Sequence, residues 1–312
     1  MNVGILSPGD MGHGLGRVLV RHGARVLAAL DDRSPRTRSL AANAGIVDVG
    51  SAERLVREAD LVLSVLVPSE AVAAAERVAD ALRSTGARLL YADCNAVSPQ
   101  TTRRVGEIVA SAGARYVDGG IIGGPPRGDD DSPRIFISGE AAAELAELKG
   151  YGVDIHVLGP TVGQASGLKM CYAALTKGVC ALGTELLVAG ERLGLTEALR
   201  AELENSQAPL LRWIDRQLPQ MPPKAHRWVG EMEEIAATVA SVGLPPGTYQ
   251  GAADVYRWIA ETALGQETPE ERTERVGAQV VMGLADSAPA GQPARSPASP
   301  AVAASPATAP AQ

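Results

Sequence analysis

Aromatic residues are scarce in this 312-residue chain. One phenylalanine, three tryptophans and six tyrosines make up 3% of it, so a core has to be assembled from alanine, valine and leucine. Cysteine is scarce as well: Cys94, Cys171 and Cys180 are scattered among apolar neighbours and read as reduced, buried thiols. Positive charge is in deficit, with 29 Lys and Arg against 36 Asp and Glu and a net charge of −7. That balance argues against a nucleic-acid backbone or an anionic membrane as partner, and no basic stripe offsets it. No apolar run approaches the length needed to cross a bilayer. The N-terminus leads straight into a strand, without a basic segment and apolar signal core. The expectation is a cytoplasmic protein. Its hydrophobic fraction of 46% is that of an ordinary globular chain, and its length allows two domains.

What is present begins at the first residues. Asn2 to Leu6 is a short apolar strand, followed at once by Ser7-Pro8-Gly9-Asp10-Met11-Gly12, a helix from about Met11 to His22, and a strand from Ala24 to Leu30. Strand, Gly-rich turn and helix in this order open a dinucleotide-binding fold. Gly9 lets backbone approach a pyrophosphate, and Gly12 lets the helix pack closely on the strand. The helix N-terminus then offers free N–H groups and a favourable dipole. Ser7 stands where the first glycine of G-x-G-x-x-G belongs.

The second strand runs into Asp31-Asp32-Arg33-Ser34-Pro35, where Ser34 and Pro35 start a helix as N-cap and first-turn residue. Asp31 and Asp32 suit the ribose hydroxyls of NAD; Arg33, Ser34, Arg36 and Arg38 suit the 2′-phosphate of NADP. Guanidinium pairs well with phosphate, so NADP is the expected cofactor, with NAD possible.

Strand and helix go on alternating. Leu61 to Val67 is a continuous apolar strand ending at Pro68, and an Ala-rich helix follows to about Leu82. Leu89 to Ala92 is a strand ending in Asp93-Cys94-Asn95-Ala96, and Ser98-Pro99 caps a helix to about Ala112. Val67, Pro68 and Asn95 thus lie beyond carboxyl ends of strands, where a nicotinamide would sit. Tyr116 to Ile122 leads into Gly123-Gly124, whose bare amides suit an anionic substrate group. Asp129 to Asp131 reads as a solvated loop and not as a metal site, since no histidine or second acidic group accompanies it. Arg134 to Ser138 is a strand, Ala141 to about Lys149 a helix, and Ile155 to Leu158 the last strand.

Beyond Gly163 only helix signals remain: a long helix to about Leu193, then Glu197–Asn205, Ala208–Gln217, His226–Val242, Thr248–Leu264 and Glu270–Met282. On the long helix Lys169, Tyr172, Ala173 and Thr176 share a face, with Lys177 at its edge. A lysine on such a face needs a purpose. The reading is an α/β Rossmann-type N-terminal domain over residues 1–162 and an all-α C-terminal domain over residues 163–285, joined by a long interdomain helix. Residues 286–312, rich in Ala, Pro and Ser, read as a disordered tail.

The order of these parts resembles the β-hydroxyacid dehydrogenases related to 6-phosphogluconate dehydrogenase. The resemblance covers about residues 1–190, carried by GILSPGDMG, DRS, DCNAVSP, DGGIIGG and GQASGLKMCYAALTKG. The later helices resemble a subgroup with a phosphogluconate-dehydrogenase-like C-terminal domain of unknown function. By that resemblance Gly9, Met11 and Gly12 match the phosphate loop, and Arg33 and Ser34 match the pair that goes with NADP. Asp32 stands where asparagine is common, and Asn95 where a nicotinamide-side serine is usual. Lys169 matches the catalytic lysine, six residues after Gly163. Ile122 replaces the serine of the substrate motif, and Ala173 replaces the asparagine four residues after the lysine. Both lost groups hold substrate in the family, so the substrate implied is a different one.

The resemblance further implies hydride transfer between nicotinamide and a small hydroxy or carbonyl compound. Lys169 would be general acid and base, with Tyr172 orienting the substrate or sharing the proton. Burial and Lys177 would lower the Lys169 pKa in the direction the oxidative reaction needs. Thr176, Lys177, Gly123 and Gly124 complete the substrate side. A homodimer through the C-terminal helices is implied, with no metal. The alternatives are an imine reductase on the same scaffold and an NADP-binding module without catalysis.

Overall fold

Each apolar run of the first half becomes a strand and each Ala-rich run a helix. The computed structural model describes residues 1–128, 130–268 and 274–287. In chain order the elements are β1 (Asn2–Ile5), α1 (Asp10–Arg21), β2 (Arg25–Ala28), α2 (Pro35–Asn43), β3 (Val47–Asp48), α3 (Ala52–Glu58), β4 (Leu61–Ser64), α4 (Ala71–Thr85), β5 (Leu90–Asp93) and α5 (Pro99–Ser111). They continue with β6 (Arg115–Ile122), β7 (Arg134–Ser138), α6 (Ala142–Leu145), β8 (Ile155–Gly159) and the long α7 (Gln164–Arg192). Helices α8 (Thr196–Gln217), α9 (Ala225–Ser241), α10 (Gly247–Glu261) and α11 (Gly277–Ala285) finish the described chain.

Among the described residues eight strands form one sheet, ordered β3-β2-β1-β4-β5-β6-β7-β8. Its pairs are parallel except β6 with β7, which is antiparallel. Central strands such as β4 are buried along their whole length, which is why they read as unbroken apolar runs. One face of the sheet buries Leu15, Leu19, Val26, Leu63 and Ile137; the other buries Val62, Val78, Leu82, Tyr91 and Val105. Each such side chain contributes about 1.5–3 kcal/mol when removed from water. The helical half has its own core around Met170, Leu187, Ile214, Met232 and Ile259, where Trp228 and Tyr256 meet edge to face at 5.2 Å.

Several expectations are corrected. The strand expected to reach Val67 stops at Ser64, because the Leu66 N–H donates to the Asn95 side chain and not to a neighbouring strand. Two short elements escaped the sequence reading: β3, two exposed residues, and α3, capped by Ser51 accepting from Arg54 N at 3.3 Å. The helix expected from Ala141 is α-helical only to Leu145 and tightens to 3₁₀ over Ala146–Tyr151. The two helices expected over 197–217 are there: α8 is broken at Gln207, whose backbone is not helical (φ −136°, ψ 30°), two residues before Pro209. The last helix begins at Gly277, not Glu270; residues 269–273 lie outside the described residues, as do Asp129 and 288–312 of the tail.

Cys171 is exposed, whereas Cys94 and Cys180 are buried as expected. Among the described residues one helix is long and apolar enough to cross a bilayer: α7 has 29 residues and a mean hydropathy of 1.3 in its most apolar stretch. Its composition has a local cause, since 44% of that stretch is buried inside the protein, against the sheet and the later helices.

Candidate active site

The turn after β1 is tight although Ser7 replaces a glycine. A Cβ on Gly12 would sit 2.1 Å from the Ser7 carbonyl oxygen, so only glycine lets α1 start this close to the strand. Gly9 is the N-cap in extended conformation (φ −73°, ψ −160°); it has open space where a side chain would be, and no side chain caps the first N–H groups of α1. These donors and this space fit a pyrophosphate. Met11 is partly buried against the sheet core and Pro8 is buried beneath the turn.

The arginines after β2 fold back toward that turn. Arg33 donates to the Leu6 carbonyl at 3.0 Å, and Arg36 pairs with Asp10 at 2.6 Å. Arg38 donates to the Asp31 carbonyl and, at 3.1 Å, to the Arg33 carbonyl. Burial and then Arg77 hold the Arg33 guanidinium below its usual pKa. Ser34 caps α2, accepting from Thr37 N at 3.2 Å. Asp32 is exposed beside them.

At the ends of β4 and β5 the side chains turn inward. The Asn95 carbonyl accepts from Leu66 N, and its amide donates to Ser64 Oγ at 2.9 Å and to Asp93. Asn95 therefore ties two strand ends together, leaving backbone, not its amide, for a ligand. Asp93 is fully buried with its Oδ2 lacking a partner among the described residues; burial first, and Asp118 further down, push its carboxyl up to about 7. Pro68 is buried with its Cβ 4.0 Å from where a Gly230 side chain would start on α9, while Val67 stays partly exposed.

The start of α7 is held by a residue from the sheet. Asp118 on β6 accepts at Oδ2 from Gly163 N (2.8 Å), Ala165 N (3.1 Å) and Ser166 N (3.2 Å), and from Ser138 Oγ (2.8 Å). Its Oδ1 accepts from Thr102 Oγ1 at 3.1 Å and from Ser166 Oγ. Gly163, the N-cap itself, supplies no side chain, so this carboxylate satisfies the first turn and complements the helix dipole. Two residues on, Gly120 makes room: a Cβ there would lie 2.7 Å from the Ala165 oxygen and 2.9 Å from Lys169 Cβ. Lys169 is thus seated over the carboxyl end of β6, on the side of the sheet where ligands bind in such folds.

Lys169 is partly exposed to solvent, yet protein surrounds it closely enough that burial first, and Lys177 second, lower its pKa to about 8; Glu231 opposes the shift. Ile122, two residues beyond Gly120 and by strand alternation on the same face, is 5% exposed. Gly123 and Gly124 are exposed, Gly123 with φ +135°, a conformation that glycine adopts without strain. Ala173 is buried, and Tyr172 stands at the rim, 45% exposed. Thr176 donates to the Tyr172 carbonyl at 3.3 Å, within its own helix. Lys177 is ion-paired with Glu231 of α9. The sheet and helix thus bring Gly120 against Lys169, with Lys177 on the same helix; Ile122 and Ala173 are buried on β6 and on that helix, and Tyr172 is exposed. A groove of about 490 Å³ lies on another face of α7, among Arg103, Gly167, Cys171 and Val242, and includes none of these residues.

The sequence reading missed Asp118, Glu231 and Glu234. Glu234 accepts from Ser98 N at 2.6 Å and from Thr101 Oγ1 at 2.9 Å, joining α9 to the start of α5. Asp118 had a signal, an aspartate just before two glycines. Glu231 and Glu234 had none within their run of acidic residues. The aspartate loop is not free of histidine: His22 Nε2 is 3.5 Å from Asp130. No cluster able to hold a metal occurs among the described residues.

Residues 2–149 match the NAD binding domain of 6-phosphogluconate dehydrogenase, and residues 191–259 match the domain of unknown function DUF1932. A solved conserved protein of unknown function, described as structurally similar to 3-hydroxyacid dehydrogenases, is 30% identical. It covers 84% of this chain and 97% of its own, with a TM-score of 0.63. The chain belongs to the β-hydroxyacid dehydrogenase superfamily related to 6-phosphogluconate dehydrogenase. As a member of it, the chain is an NAD(P)-dependent oxidoreductase. The L-threonate dehydrogenase of Cupriavidus necator is 30% identical over 200 residues, 62% of this chain and 66% of that enzyme. An uncharacterized 28.5 kDa protein of Methanothermus fervidus is 28% identical over 207 residues, 66% of this chain and 78% of its own.

Proposed function

We propose that this protein reduces a small carbonyl compound, or oxidises the corresponding alcohol, with NADP as preferred cofactor and Lys169 as proton donor and acceptor. The observation that carries the reading is Lys169 itself: an amine with pKa near 8, seated over the carboxyl end of β6 by Gly120 and Asp118. When bound, the nicotinamide supplies or receives the hydride at the substrate carbon. As the carbon–oxygen π bond opens, the Lys169 ammonium gives its proton to the oxygen and ends neutral. In the reverse direction the neutral amine takes the hydroxyl proton. Arg33, with Arg36 and Arg38 gathered at the same end of β2, supports a 2′-phosphate partner.

The apolar Ile122 and Ala173 support a substrate other than the L-threonate for which one relative is named. Residues 1–162 would hold cofactor, and residues 163–285 would complete the substrate side. Leu175 and Leu182, exposed by 68% and 62% on α7, support a homodimer through the helical part.

The test is turnover of NADPH and NADH with a panel of aldehydes, ketoacids and cyclic imines, alongside Lys169→Ala. Wild type should turn over at least one carbonyl, and the variant should lose turnover while still quenching or enhancing NADPH fluorescence on binding. Unchanged turnover in Lys169→Ala removes the assignment; activity confined to cyclic imines makes the protein an imine reductase. Tight NADPH binding with no turnover on any compound makes it a binding module.

A further inference from the structure

One turn of α9 holds a charge aimed at α7. Lys177 and Glu231 form an ion pair whose side chains are only 12% and 14% exposed, and the Trp228 ring centre lies 5.3 Å from Lys177 Nζ. The Tyr256 hydroxyl donates to the Lys177 carbonyl at 2.6 Å, so α10 fixes the same point of α7. A nearly buried ion pair gains little over apolar residues of similar size, because both charges lose their water. Stability alone therefore does not account for this one.

Its reach does. Lys177 lies eight residues after Lys169 on α7, at the edge of the same face and about 12 Å further along the axis, and Glu231 is in contact with it; from there Glu231 favours the charged form of Lys169 and Lys177 opposes it. Two other charged groups on the packed elements are engaged elsewhere, and one acts on the pair. Asp118 of β6 holds the start of α7, Glu234 of α9 holds the start of α5, and Arg227 of α9 bears on Glu231. Tyr256 of α10 is taken by the Lys177 carbonyl.

We propose that Glu231 and Lys177 are positioning residues for Lys169: an opposed pair of charges, held by Trp228 and Tyr256, that sets how readily Lys169 gives up its proton. The value of the pair for catalysis rests on Lys169 being the proton donor. Its electrostatic part does not, and the two are tested separately. Lysine amines of the free protein are acylated with trace acetic anhydride across pH 6 to 11, and labelling at Lys169 is read by peptide mass spectrometry, which needs no turnover. The wild-type midpoint is expected near 8.

Glu231→Gln, which keeps shape and removes the negative charge, should lower the midpoint by about one pH unit; Lys177→Met should raise it by about as much. Each shift is about a tenfold change in free amine at fixed pH. The double variant should return close to wild type. A general loosening of the fold would move both single variants the same way, so shifts in one direction, or none, overturn the proposal. Should Glu231→Gln not fold, Lys177→Met decides together with its urea-unfolding midpoint: a raised labelling midpoint at unchanged stability supports the pair, and an unmoved or lowered one, or a rise that comes with lost stability, overturns it. The pH–rate profiles of the same variants should move in parallel. Opposite labelling shifts with an unmoved rate profile would uphold the hold on Lys169 and remove Lys169 as proton donor.

Discussion

Replacing Asp118 by asparagine tests whether charge holds the start of α7. In the protein its Oδ2 serves three backbone N–H groups, those of Gly163, Ala165 and Ser166, and the Ser138 hydroxyl; Oδ1 serves the Thr102 and Ser166 hydroxyls. Asparagine fills the same volume with one acceptor oxygen in place of two. Its less costly orientation keeps the carbonyl on the helix N–H groups and turns the amide NH₂ toward hydroxyls, which can rotate to accept. The loss is then mainly one of charge. Hydrogen bonds to an ionised acceptor contribute about 1.5–3 kcal/mol, neutral ones about 1 kcal/mol, so three backbone donors lose about 1.5–6 kcal/mol. Burying a neutral amide costs less than burying a carboxylate, which offsets part of this and favours the lower end, about 2 kcal/mol. Asp118→Ala leaves the donors without a partner and should cost about 3–5 kcal/mol. Urea unfolding followed by far-UV circular dichroism measures both, with the slope m unchanged if only stability moves. A loss below about 0.5 kcal/mol for Asp118→Asn, the level of ordinary surface changes, would refute the argument.

Gly120→Ala should cost about 1–3 kcal/mol, because the new methyl lies 2.7 Å from the Ala165 oxygen and 2.9 Å from Lys169 Cβ, and α7 must shift. Turnover should fall with it while NADPH affinity holds; equal stability and activity would show that the helix is not seated where described. Asp93 has a folded pKa raised to about 7 from the ordinary 3.8, so the folded state binds its proton more tightly than the unfolded one. Its contribution is present below about pH 4 and is lost as pH rises through about 7, with a slope of at most about 1.4 kcal/mol per pH unit. Asp93→Asn should flatten thermal stability across that window, and an unchanged pH dependence would count against the shift. Thiol titration with a disulfide reagent should find one fast cysteine in the native protein, Cys171, and three in urea. Cys94 and Cys180 are buried, and burial also pushes the Cys180 thiol up to about 11. Two fast thiols would contradict the packing.

How far the sequence carried the fold depended on the range of the forces involved. The strand from Arg134 to Ser138 was legible to the residue, and the caps at Ser34 and Ser98 were too, since a serine followed by proline acts within one turn. Short β3 and α3 were not, because two exposed residues and seven helical ones carry no clear period. The break in α8 was legible as two helices, since Pro209 disfavours helix just before it and Gln207 leaves the helical region. Lys169 was singled out as a lysine on an otherwise apolar helical face, and its lowered pKa was expected from burial and Lys177. Asn95 was placed correctly at a strand end; that its amide would face inward required knowing that Leu66 leaves its strand with an N–H to satisfy.

The residues that the sequence did not disclose share one property: each acts on a partner far away in the chain. Asp118 is 45 residues before Gly163, and Glu234 is 136 residues after Ser98. A helix start that lacks its own capping side chain advertises the need for an acceptor without saying which acidic residue fills it. Gly163 made that need visible, since glycine supplies no side chain and α7 is too long to begin uncapped inside a protein. A lysine held among apolar neighbours makes the same demand for a counter-charge. Lys169 and Lys177 together required one acidic partner from another element, and among the many acidic residues of the later helices only packing could select Glu231. An uncapped helix start and two lysines on one apolar face are thus unmet local demands, and each of them points to a residue distant in the chain.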